Sequence, residues 1–218
     1  MQDFKKKLAL ITGASSGLGF ALSKLLVDDG FHIIGVSKNP GSLQELEKAL
    51  LGYSNASFDL ISADLKNENS VKALSNEFLQ KWGYLDLLVH CAAISDNLVP
   101  TNILFGKEFD NIYKNNVLAT KLLICYFDPL LKAARSGKAI FVDDTISGKF
   151  LSSYSASKAA ARQLVKAYKA ENEKLGPKVC LFSPNPMPTK LRAQFFPGER
   201  KDVLSSCLSQ AKVLKQLI

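Results

Sequence analysis

Histidine is scarce: His32 and His90 are the only two among 218 residues. The four cysteines, Cys91, Cys125, Cys180 and Cys207, stand far apart, with no C-x-x-C pair and no histidine pair nearby. Neither a zinc site nor a disulfide framework is expected, and reduced thiols in a cytoplasmic protein fit the pattern. Long apolar runs are missing too, none approaching the ~18 residues that a membrane span needs. The start, MQDFKKKLALITG, is basic, but its apolar run breaks at once into Thr12-Gly13, so a signal peptide is not expected. Acidic residues are in deficit, 20 against 28 Lys+Arg, for a net charge of +8. That balance suits anionic ligands such as nucleotide phosphates. The basic residues are scattered rather than interleaved with aromatics, so nucleic acid is not an expected partner.

What is present is an ordinary globular composition, 47% hydrophobic with a mean hydropathy of +0.03. It can fill one core, and a single domain over 1–218 is expected. Short apolar runs at Leu8–Thr12, His32–Ser37, Phe58–Ala63, Leu85–Cys91, Ala139–Asp143 and Val179–Ser183 read as strands. Most are continuous rather than alternating, as in strands covered on both faces. Amphipathic stretches at Leu18–Asp29, Leu43–Leu51, Ser70–Trp82, Phe109–Ala134 and Tyr154–Leu175 alternate with them. The alternation predicts an α/β fold with a doubly wound parallel sheet.

Chemistry-bearing residues gather where this order puts the sheet's carboxyl edge. The first strand runs into Gly13-Ala14-Ser15-Ser16-Gly17-Leu18-Gly19 and then a helix. Glycines there let backbone N–H groups approach a diphosphate, and the helix N-terminus adds partial positive charge. The spacing is G-x-x-x-G-x-G, and it predicts dinucleotide binding. The second strand ends at Ser37-Lys38, without the acid that would accept a ribose 2′-hydroxyl. Both residues can donate to a 2′-phosphate, which favours NADP over NAD. Asp64 beside Leu65 either accepts from an adenine amino group or begins a helix. Tyr154 and Lys158 form a Y-x-x-x-K pair on one helical face. A cation near the phenol is expected to lower its pKa toward the range useful for general acid–base catalysis.

Taken in order, these motifs resemble the short-chain dehydrogenase/reductase family over roughly Lys7 to Thr189. Leu88-Val89-His90-Cys91-Ala92-Ala93 is similar to its N-N-A-G strand end, and implies cofactor contacts at Cys91, Ala92 and Ala93. Asn116-Val117-Leu118-Ala119-Thr120 resembles the segment with the catalytic asparagine, so Asn116 would hold a water for proton supply. Pro184-Asn185-Pro186-Met187-Pro188-Thr189 resembles the P-G segment; Pro184 and Met187 would line the cofactor, and Thr189 would face the nicotinamide carboxamide. The resemblance implies an NADP(H)-dependent reductase of a carbonyl, or the reverse alcohol oxidation. Tyr154 would protonate the carbonyl oxygen and Lys158 would hold the nicotinamide ribose. It also implies a two-fold dimer through the two long helices.

Departures from that pattern carry expectations of their own. Val142-Asp143-Asp144-Thr145-Ile146-Ser147-Gly148 places Thr145 at the family's serine, with Ser147 a second candidate because the connection to the tyrosine is short. Asp144's charge would oppose a developing oxyanion. After Thr189 one helix-like stretch is expected, with six strands in all and an open substrate site. The altered segments also motivate a rival reading: a nucleotide-binding or regulatory protein that keeps the fold but turns over little.

Overall fold

The computed structural model describes residues 6–95 and 97–218. Residues 1–5, which open the basic start weighed as a leader, lie outside them. Six strands, β1 (Leu8–Thr12), β2 (His32–Ser37), β3 (Phe58–Ser62), β4 (Leu87–His90), β5 (Lys138–Val142) and β6 (Lys178–Phe182), form one sheet. Its order is β3-β2-β1-β4-β5-β6 and all five pairings are parallel. The order reverses between β1 and β4, and the crevice at that switch point is where such sheets bind ligands.

Helices α1 (Gly17–Asp28), α2 (Pro40–Leu51), α3 (Glu68–Lys81), α4 (Gly106–Tyr113), α5 (Ala119–Ala133), α6 (Ser152–Glu171), α7 (Lys190–Phe195) and α8 (Cys207–Lys215) complete the chain. Two apolar layers sandwich the sheet. On one face Leu22 and Leu26 of α1, Leu46 of α2 and Leu214 of α8 meet Ile11 and Ile33. On the other, Phe78 of α3, Phe127 of α5 and Val165 of α6 meet Leu10 and Ile34. β1 and β4 are buried along their whole length, which is why they read as unbroken apolar runs.

Several element bounds differ from those read in the sequence. α2 starts at Pro40, because Asn39 caps it by accepting from Gly41 N and proline suits the first turn. The stretch expected as one helix from Phe109 to Ala134 begins earlier and carries a π turn, Lys114–Leu118, between α4 and α5. α6 stops at Glu171, where Asn172 turns back to donate to the Tyr168 carbonyl. Beyond Thr189 there are two helices rather than one, α7 and α8.

Candidate active site

The glycine turn is shaped by close approach. Gly13 has φ +67°, and a Cβ there would lie 2.9 Å from Ala92 N; a Cβ on Gly19 would lie 2.5 Å from Gly13 O. Hydrogen at both places lets the turn pack against the ends of β4 and α1. Ser16 precedes α1 in an extended conformation without capping it through its side chain. The first-turn N–H groups are thus presented to the crevice, as an anion requires. This cradle, which side chains would fill, fits a dinucleotide diphosphate.

Across the switch point, the end of β4 is tied to β1. Thr12 Oγ1 lies 2.7 Å from His90 Nδ1 and accepts from Ala92 N at 3.3 Å. Burial, aided by the Lys158 charge, pushes the His90 pKa down to about 3, so the ring is neutral near pH 7. Burial likewise pushes the Cys91 thiol up to about 12, far from the thiolate a nucleophile needs. Both side chains act here as strand-end packing.

α6 carries the reactive stripe. Tyr154, Lys158 and Arg162 follow at four-residue intervals on one face. Tyr154 is 3% exposed and Lys158 8%. Lys158 Nζ donates to Val142 O at 2.8 Å. Tyr154 OH donates to Asp144 Oδ2 at 3.0 Å, while Asp144 Oδ1 accepts from Ile146 N at 3.0 Å. Arg162 fixes this loop, with Nε on Asp143 Oδ2 at 2.5 Å and Nη2 on Asp144 O at 2.9 Å. Burial, and then the Asp144 carboxylate, push the Tyr154 pKa up. This corrects the expected direction: the charge beside the phenol is Asp144's, not that of Lys158. Burial pushes the Lys158 pKa down, against the pull of Asp143 and Asp144.

Thr145 and Ser147 are exposed and do not line the cleft. The side chain of this loop that hydrogen-bonds Tyr154 is Asp144. The shortened connection to α6 turns through Gly148 at φ +145° and Phe150 at φ +68°. Asn116, 3% exposed, sits in the π turn. Its Nδ2 donates to Ile94 O and to Ser157 Oγ, both at 3.0 Å, and its Oδ1 accepts from Ile94 N at 2.9 Å. Ser157 Oγ in turn donates to Tyr154 O at 2.7 Å. Asn116 does not reach the cleft wall, but it joins His90, Thr120 and Lys158 around a small cavity of about 10 Å³ behind it.

The segment after Thr189 folds over the tyrosine. Thr189 caps α7 by accepting from Arg192 N at 3.1 Å. α7 lays Phe195 on Tyr154, with ring centroids 4.8 Å apart. Leu191, Ile146 and Leu151 pack around them, and Ser95 hydrogen-bonds Gln194 across the opening. A six-residue helix suffices to bury the phenol, while the cleft beside it stays open to solvent as expected. Arg192 Nε and Nη2 are both held by Glu199, each at 2.6 Å. Behind Pro184–Met187, Gln210 of α8 accepts from Asn185 N at 3.0 Å.

One cleft of about 230 Å³ brings together Gly13, Ser16, Gly17, Leu18, Gly19, Cys91, Ala92, Ala93, Tyr154, Lys158, Pro184, Met187 and Thr189. Ser15, Ser37, Lys38, Asp64 and Leu65 are outside its walls. They stand along the same sheet edge, where Ser15 Oγ and Ser37 Oγ are 3.1 Å apart and Lys38 Nζ is 3.0 Å from Asp64 Oδ2. Ile146, Arg192 and Phe195 also line the cleft without any motif to mark them, and Asp144, expected beside the site from its charge, lines it too. Only the unusual Asp143-Asp144 pair carried a signal.

The sequence model of the short chain dehydrogenase family matches residues 7–200. An uncharacterized oxidoreductase of Staphylococcus epidermidis is 27% identical over 98% of this chain and 92% of its own length. One from Staphylococcus aureus is 28% identical over 94% and 88%. Among solved structures, levodione reductase superposes with a TM-score of 0.89 at 21% identity, over 97% of this chain and 90% of that one. An alcohol dehydrogenase of the archaeon Thermococcus sibiricus, complexed with 5-hydroxy-NADP, superposes with a TM-score of 0.84 at 24% identity, over 98% and 90%. With the sheet order, the glycine turn and the family match in agreement, the chain belongs to the short-chain dehydrogenase family.

Proposed function

We propose that the protein is an NADP(H)-dependent oxidoreductase that moves hydride between the nicotinamide and a small organic substrate, with Tyr154 handling the substrate's proton. The observation that carries this reading is the meeting of the glycine turn with the buried Tyr154 and Lys158 in one cleft. Bound cofactor supplies the hydride chemistry. The chain's own residues bind, orient and exclude water. Gly13 to Gly19 would hold the diphosphate. Asp64 and Leu65 would face the adenine, and Cys91 to Ala93, Pro184, Met187 and Thr189 the nicotinamide half. Lys158, already turned toward the strand end, would hold the ribose. The Asn116 network would keep a water in the small cavity behind Lys158, whose volume suits one molecule. Thr145 and Ser147 stand as substrate contacts only if the loop rearranges when substrate binds.

Preference for NADP is supported by Ser15, Ser37 and Lys38, which gather hydroxyls and a cation where an acid would select NAD. The NADP-type ligand of the archaeal relative agrees. A carbonyl or alcohol is the substrate class that the family resemblance implies. Four free cysteines agree with a reducing, cytoplasmic setting. Among the described residues no helix is long and apolar enough to cross a membrane. The rival reading, a nucleotide-binding protein with little turnover, is favoured by Asp144, whose carboxylate lies on the Tyr154 hydroxyl and would oppose the charge a carbonyl oxygen gains there. Titration with NADPH and NADH, followed by NADPH consumption against aldehydes and ketones, separates the two. NADPH binding with turnover supports the enzyme; tight binding without any turnover supports the rival.

A further inference from the structure

We infer that the substrate of this cleft presents a carbon–nitrogen double bond, held as an iminium N–H, in preference to a carbonyl oxygen. The inference rests on the hydride-transfer reading and names its substrate class. It starts from what Asp144 and Tyr154 offer. The phenol's one hydrogen is committed to Asp144 Oδ2 at 3.0 Å, and Oδ1 accepts the Ile146 N–H at 3.0 Å. The loop is anchored by Arg162, which holds Asp143 Oδ2 and Asp144 O. An ionised carboxylate has no hydrogen to donate. Beneath the lid, the reactive wall therefore shows acceptors: the free lone pair of Tyr154 Oη and the carboxylate behind it.

A carbonyl oxygen needs donors there, and needs them more as hydride attack loads it with negative charge. A carboxylate beside it works against that charge. An iminium reverses both requirements. Its N–H is a donor, and hydride attack cancels a positive charge instead of creating a negative one. Of the cations in and behind the cleft, Lys190 is exposed at the start of α7 and the other three are directed elsewhere. Arg162 is taken by Asp143, Arg192 by Glu199, and Lys158 donates to the Val142 carbonyl.

The step balances as follows. The imine nitrogen, basic enough to take a proton from solvent, enters protonated and donates its N–H to Tyr154 Oη, whose own hydrogen stays on Asp144 Oδ2. This leaves N–H⁺, an intact phenol and a carboxylate in line. Hydride, with its electron pair, forms the new C–H bond. The C=N π pair becomes the nitrogen lone pair, and the products are an amine and the oxidised cofactor. A ketone oxygen is too weakly basic to take the proton beforehand; an imine nitrogen is not.

The test compares a six-membered cyclic imine with cyclohexanone as substrates of the purified chain, with NADPH consumption as the readout. Wild type is compared with Asp144→Asn and Asp144→Ser. The inference predicts that wild-type kcat/KM for the imine exceeds that for the ketone by about tenfold or more, and that both variants lose about tenfold on the imine while Asp144→Ser gains on the ketone. Melting temperature and NADPH affinity identify a variant that has merely failed to fold. If both variants fail to fold, the wild-type ratio decides alone. Ketone reduction at or above the imine rate in wild type would overturn the inference and leave the oxidoreductase reading standing. NADPH binding with no imine turnover also overturns it, and absence of NADPH binding overturns both.

Discussion

His90 shows how one substituted residue can be structural yet measurable. Its native pKa is held down at about 3 by burial, whereas an unfolded histidine titrates near ~6.5. Between those values the unfolded chain binds more protons than the native one, so stability falls as pH drops through that window. The loss between pH 7 and pH 4.5 should be about 2 kcal/mol from this group. His90→Asn, which keeps a polar partner for Thr12, should flatten the fall of melting temperature across that range. His32, whose pKa burial also lowers, is present in both proteins, so the difference isolates His90; identical pH profiles would contradict the account. At the other end of the crevice, Lys38 is expected to give up part of its contact with Asp64 to a 2′-phosphate. Lys38→Ala should weaken NADPH binding by about tenfold and leave NADH binding unchanged, since one charge-assisted contact is worth about 1.5–3 kcal/mol. Equal losses for the two nucleotides would remove Lys38 from cofactor selection.

At the scale of elements, α6 does more than present a tyrosine and a lysine. Its third residue in the stripe, Arg162, sets the β5–α6 loop through Asp143, which is 5% exposed. Arg162→Ala leaves that carboxylate buried without its cation, and should cost about 3 kcal/mol of stability. Adding Asp143→Asn should recover part of the loss; a double variant as unstable as the single one would mean that the pair is not what holds the loop. This loop also shows where sequence reading stops. The strands were legible to within a residue or two because parallel strands buried on both faces are continuous apolar runs. The glycine turn was legible because a close backbone approach admits so few residue types. The π turn at Lys114–Leu118 was not, since a five-residue change of helical phase leaves no mark on a 3.6-residue pattern. α7 is too short to show periodicity. Matching Ser147-Gly148 to the family pattern puts Thr145 at the serine place, with Ser147 as the alternative. Which side chain of Asp143-Asp144-Thr145 meets Tyr154 is decided by Arg162 and by the positive φ angles at Gly148 and Phe150, all later in the sequence.

For the whole molecule, the six-stranded sheet with helices on both faces leaves Leu118 36% exposed and Leu164 37% exposed, on the π turn and on α6. We propose that these helices meet their counterparts in a two-fold homodimer, a common arrangement for self-complementary faces. Sedimentation at micromolar concentration should give a dimer, and Leu164→Lys should shift it toward monomer; a monomeric wild type would refute the proposal. The central claim is that the cleft at the β1/β4 switch point transfers hydride with Tyr154 as its proton-handling group. The most direct measurement compares wild type and Tyr154→Phe in NADPH affinity and in NADPH oxidation across carbonyl and imine substrates. The account predicts NADPH affinity within about twofold and a fall in turnover of roughly 10²-fold or more. Turnover by Tyr154→Phe at the wild-type rate would contradict it.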